Sequence, residues 1–110
     1  MDTAVALVTL LTEMGHAVTL ACTVAEALAA AAHQPIELVV SDIGLPDGNG
    51  NQLMRELVAR HGLRGIAVSG YGMDEDRQRS LAAGFSLHLT KPVSVRALQE
   101  ALEEAAGHLY

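Results

Sequence analysis

The sequence holds one cysteine, Cys22, so no internal disulfide can form and no thiol cluster can bind zinc. That usage fits a reducing compartment, and Cys22 itself reads as core packing. Only three prolines are present against 50% hydrophobic and 18% charged residues, which excludes disordered and collagen-like chains. Basic residues are few, seven against thirteen acids, and the formal charge of -6 repels phosphate backbones and anionic lipid. Nucleic acid and membrane are therefore not expected partners. The start, Met1-Asp2-Thr3, has no positive n-region, and polar residues interrupt every apolar stretch before it reaches spanning length. The expectation is a soluble cytoplasmic protein. Its 110 residues suffice for one domain with one core, taken as residues 1–110.

Apolar residues from Val5 to Met14 predict a helix over 3–14 closed by Gly15. The small and β-branched run at 17–22 predicts a strand buried on both faces. Thr23 and Glu26 form a capping-box pattern ahead of a helix over 24–33, which Pro35 stops. Leu38-Val39-Val40 begins the most apolar strand and runs into Ser41 and Asp42. Residues 43–50, with three glycines and a proline, predict a loop. A helix over 51–61, a strand over 65–69, a helix over 74–83, a strand over 85–90 and a closing helix from the Ser94 cap to about 106 follow. Strands alternating with helices indicate an α/β protein with a parallel sheet covered on both faces.

In such a sheet the functional crevice lies beyond the carboxyl ends of the strands. The residues that close the strands are Asp42, Ser69 and Lys91, the last being the only lysine. Taken singly, Asp42 reads equally well as a turn residue, Ser69 reads as a turn serine, and Lys91 as a solvated surface charge. Together they bring a carboxylate, a hydroxyl and an ammonium to one edge. That set suits phosphoryl transfer onto a carboxylate: Asp42 as nucleophile, Ser69 bonding a phosphoryl oxygen, Lys91 offsetting charge. A divalent metal would normally complete it. The remaining histidines, His16, His33, His61 and His108, have no metal-ligand spacing and read as surface residues.

The segments Val39-Val40-Ser41-Asp42-Ile43-Gly44-Leu45-Pro46-Asp47, Gly50, Val68-Ser69-Gly70 and Leu89-Thr90-Lys91-Pro92 resemble the receiver domain of bacterial two-component response regulators. The resemblance covers essentially the whole chain. It implies a flavodoxin-like, doubly wound parallel sheet and a phosphoprotein that accepts a phosphoryl group on Asp42 from a sensor histidine kinase or phosphotransfer protein. It also implies that Ser69 is the switch hydroxyl, that Lys91 contacts phosphate ahead of a cis-proline, and that the Gly44 carbonyl and Asp42 bind Mg2+.

Two positions depart from the pattern. The family opens with a hydrophobic strand ending in a magnesium-binding acidic pair; here a helix begins almost at Met1, so a sheet lacking that first strand and weak or absent Mg2+ binding are expected. The missing strand would lie between 17–22 and 38–41, and the two open edges lead to the expectation of a homodimer. His88 stands at the family's switch aromatic, where its protonation would make the switch depend on pH.

Three functions remain open. The chain is a phosphoaccepting receiver in a relay; or it is a phosphorylation-deficient receiver acting through protein contacts or dimerisation; or Asp42 is the nucleophile of an aspartate-dependent phosphatase, an enzyme reading disfavoured because position 44 is glycine and not aspartate. A glycine-loop nucleotide site is weaker still, with no Gly-x-Gly-x-x-Gly after the first strand.

Overall fold

The apolar run at 38–40 forms the strand expected of it, and its neighbours follow from parallel pairing. In the computed structural model, which describes residues 3–70 and 74–107, the elements are α1 (Thr3–Glu13), α2 (Val24–His33), β1 (Leu38–Asp42), β2 (Gly44–Leu45), β3 (Gly48–Asn49), α3 (Gly50–His61), β4 (Arg64–Ser69), α4 (Asp74–Ala83), β5 (Leu87–Thr90) and α5 (Val95–Gly107). Strands β1, β4 and β5 make a parallel sheet in the order β1-β4-β5, with Asp42 opposite Val68 and Ser69 opposite Thr90. The strand ends that carry Asp42, Ser69 and Lys91 therefore fall on one edge.

Side chains alternate across the sheet, and the alternation sorts the core into two layers. Val39, Ile43 and Ala67 face α2 and α3, where Leu53, Met54, Leu57 and Phe85 are buried. Leu38, Val40, Ile66, Leu87 and Leu89 face α5, packing against Ala101, Leu102 and Ala105. Gly65 makes the first layer possible: a Cβ there would come within 2.6 Å of the Met54 sulfur and 2.9 Å of the Phe85 ring. On α5, Leu98 and Ala105 are buried, whereas Val95 is exposed.

Local chemistry explains the helix ends. Thr23 Oγ1 accepts from the Glu26 amide at 3.0 Å, and Ser94 Oγ accepts from Ala97. Gly62 ends α3 at a φ of 64°, a conformation open to glycine. The α3 start is capped by Asn49, whose Oδ1 accepts from Gln52.

Several expectations are corrected. No strand forms over 17–22: among the described residues no ladder partner lies beside it, and β-branched composition alone does not make a strand. Described strands thus number three in the main sheet, and β1 is its edge. Residues 43–50 are not only loop, since β2 and β3 pair antiparallel as Gly44↔Asn49 and Leu45↔Gly48. Cys22 is exposed, not core. In α1, whose sequence is apolar nearly throughout, Leu11 is the one described side chain that is buried. No described helix is long and apolar enough to cross a membrane. Asp2, His108 and residues 71–73 lie outside the described residues.

Candidate functional site at the carboxyl edge of the sheet

Asp42 closes β1, and its Oδ1 lies 2.7 Å from the Lys91 ammonium that follows β5. The contact is an ion pair: Oδ1 is buried and makes no aligned hydrogen bond besides. With the Asp42 side chain 25% exposed and Oδ1 buried, Oδ2 is the oxygen open to an incoming group. The Lys91 amide donates to the Ser69 carbonyl at 2.8 Å, carrying the β4–β5 ladder one residue past the strand end, and the Lys91–Pro92 peptide is cis. Asp42 and Lys91 are thus brought together by backbone pairing, not by chance encounter of two surface chains.

Gly50 sets the depth of the site. Its amide donates to the Ile43 carbonyl at 2.7 Å, and a Cβ on it would collide with the Asp42 carbonyl oxygen. The N-terminus of α3 can therefore sit flush against the end of β1.

Ser69 is buried, and its Oγ lies 2.8 Å from His88 Nε2. His88 Nδ1 is buried without a hydrogen-bond partner. Burial of the ring lowers the His88 pKa below its usual value; Arg77 lowers it further and Asp76 raises it. Ser69 also borders a cavity of about 240 Å³ lined by Ile43, Asn49, Asn51, Asp76, Arg79 and Ser80. Alternation places Ser69 and His88 on the α3 side of the sheet, and Asp42 on the α5 side.

Gly44, expected to offer its carbonyl to Mg2+, is exposed in the β2–β3 hairpin beside Asp42. Of the groups expected to hold Mg2+, Asp42 has one carboxylate oxygen engaged by the Lys91 ammonium.

Sequence reasoning missed Asp47. Its carboxylate accepts from the Val24 amide at 2.7 Å and the Ala25 amide at 3.2 Å, tying the hairpin to the start of α2. The Val24 hydrogen bond is the main reason its pKa is lowered. No local pattern reveals a cap supplied from a distant loop. Asn49 was legible in principle, as an Asn directly before a helix.

Comparison with known proteins bears on this geometry. A chain 39% identical over 87 residues is a 14.6 kDa protein of Leptolyngbya boryana; the match covers 76% of this chain and 66% of that one. The KDP operon transcriptional regulatory protein KdpE of Escherichia coli is 35% identical, over 71% of this chain and 34% of its own length. The chain thus spans less than two thirds of these relatives. Among solved structures, a CheY-like receiver domain protein from Methanospirillum hungatei superposes with a TM-score of 0.84 at 32% identity, covering 97% of this chain and 90% of that one. A two-component response regulator from Clostridium difficile shares the fold, with a TM-score of 0.91 at 21% identity, covering 98% of this chain and 89% of that one. The family model for the response regulator receiver domain matches residues 2–103. An acid, a hydroxyl and a lysine at three adjacent parallel strand ends, on a fold matched nearly end to end, place the chain in the response regulator receiver domain family.

Proposed function

We propose that the chain is a phosphoryl acceptor in a two-component relay and that Asp42 is the acceptor. The observation that carries this reading is the Asp42–Lys91 pair at the carboxyl edge of the sheet. Asp42 Oδ2 attacks the phosphorus of a phosphohistidine on a sensor kinase or phosphotransfer protein. The phosphorus–nitrogen bond breaks, its electron pair stays on the imidazole, and that nitrogen takes up a proton from solvent. An acyl phosphate remains on Asp42. Lys91 offsets the charge gathered on the transferring oxygens, which is where a fixed ammonium contributes most. In this role the chain is the recipient of a group and not an enzyme that turns over a substrate. A cytoplasmic setting and avoidance of nucleic acid accord with the kinase donor and the charge of -6.

The test is incubation with acetyl phosphate followed by intact mass. One added phosphoryl group is expected, absent from Asp42→Asn; an adduct that persists in Asp42→Asn would refute the assignment.

A second reading, a receiver that works through contacts and dimerisation without phosphorylation, is favoured by one observation: β1 is an edge strand among the described residues although it is half-buried and apolar. An unmodified chain in the acetyl phosphate experiment, coupled with self-association, would support it.

A further inference from the structure

The chain has two asparagines, Asn49 and Asn51, and only Asn49 precedes a glycine. A glycine in that place leaves its amide nitrogen unshielded by a Cβ and its backbone able to turn. Such a nitrogen can attack the side chain of the asparagine before it. We infer that Asn49 is a site of spontaneous covalent modification in the acceptor loop, closed by the fold and opened when the start of α3 lifts from the end of β1.

The chemistry needs water and no other reactant. The Gly50 nitrogen gives its proton to solvent base and bonds to Asn49 Cγ; the Cγ–Nδ2 bond breaks, the nitrogen takes up a proton, and ammonia leaves. A five-membered succinimide closes. Water then opens the ring at one of its two carbonyls. One opening leaves aspartate; the other leaves isoaspartate, in which the main chain runs through the side-chain carbons and gains one methylene.

Three features hold this reaction off in the native chain. The Gly50 amide donates to the Ile43 carbonyl at 2.7 Å, so the proton that must leave is tied. Asn49 Oδ1 accepts from the Gln52 amide at 2.8 Å, which fixes the side chain as the cap of α3. The Asn49 backbone is extended at a ψ of 160°, whereas ring closure needs the Gly50 nitrogen eclipsed with Cβ. Asn49 itself is exposed, so geometry and not want of water is the barrier. Lifting α3 releases all three at once, because Asn49 and Gly50 are where β3 passes into α3.

Asp47–Gly48 can form the same ring, but only from a protonated acid. The Asp47 carboxylate is bound by the Val24 and Ala25 amides and its pKa is lowered, so it stays ionised at neutral pH. Asn49 is the reactive member of the loop. Its two products differ in consequence. Aspartate keeps the cap. Isoaspartate shifts Gly50, where even a Cβ would collide with the Asp42 carbonyl, and so unseats α3.

The experiment incubates wild type at neutral pH, native and in urea above its unfolding midpoint. Glutamyl endopeptidase then releases residues 38–56, between Glu37 and Glu56, for fragment mass spectrometry. Asn49 should convert in urea and at least about tenfold more slowly in the native chain, the ratio set by local opening, with Asn51 intact in both. The isoaspartate form, separated after refolding, should show a lower urea midpoint than Asn49→Asp, which carries the same charge on an unaltered main chain. Conversion of Asn51 in place of Asn49, or of neither in urea, would overturn the site. Equal rates in native and unfolded chains would overturn its closure by the fold, and equal midpoints would overturn the unseating of α3. None of these outcomes depends on phosphorylation of Asp42.

Discussion

Asp47 caps a helix that begins far from it in sequence: its carboxylate receives the Val24 amide at 2.7 Å and fastens the β2–β3 hairpin to α2. The acceptor loop is thus anchored to a neighbouring helix, and the negative charge sits at that helix's positive end. Asp47→Ala is expected to lower the midpoint of thermal unfolding at neutral pH. The sign with pH follows from the lowered pKa. The carboxylate's contribution is fully present above its ordinary value of 3.8 and is lost as pH falls through the lowered folded value. The gap between wild type and variant, followed by circular dichroism, should close in acid; a gap that persists there would show that the anchor is not electrostatic.

Gly50→Ala should be costly for a different reason. The added methyl meets the Asp42 carbonyl, a backbone atom that cannot rotate away. A loss of about 1–3 kcal/mol is expected from overpacking, measured by urea unfolding. Phosphorylation by acetyl phosphate should fall as well, since α3 can no longer seat against β1.

His88 gives the opposite pH dependence from a paired histidine. Its folded pKa lies below the usual 6.5 because burial disfavours the cation. The unfolded chain therefore binds the proton more readily, and stability rises with pH between the two values. The contribution is whole above about pH 6.5 and declines as pH falls toward the folded value. Stability of His88→Phe should lack this slope; identical pH profiles for wild type and variant would contradict it.

Magnesium should bind weakly to the chain. One carboxylate, already paired to an ammonium, offers little to a cation that demands several hard oxygens. Titration calorimetry is expected to show no saturable heat at the protein concentrations used. A sharp one-site isotherm would mean that another acid joins Asp42.

Self-association is expected from the edge position of β1 among the described residues. Val39 and Val40 are only half-buried, and the strand has one ladder neighbour among the described residues. Sedimentation equilibrium should give a mass above the 11.5 kDa of one chain and approaching twice that value as concentration rises. A constant single-chain mass with cooperative unfolding would show that the edge needs no partner.

Much of this was legible in the residues. The strand ends at Asp42, Ser69 and Lys91 follow from apolar runs bounded by turn chemistry, and parallel pairing then gathers them. What resisted reading is long-range. The strand expected at 17–22 has a strand's composition but lacks a neighbour, and pairing, not composition, makes a strand. Cys22 looked like core and is exposed because the segment leading to it joins no sheet. The Asp47 anchor and the Ser69–His88 bond join residues whose separation in sequence carries no signal.

Lys91 is the only ε-amine in the chain, and it stands 2.7 Å from the candidate acceptor. Amine chemistry that would scatter labels over an ordinary protein surface is directed here to one side chain and the chain terminus. Reductive methylation with a carbon-13 reagent keeps the positive charge and leaves one side-chain resonance inside the site. That resonance would follow the chemical state of Asp42 as it changes, with no substitution in the protein. The scarcity of lysine turns the ion pair into its own reporter.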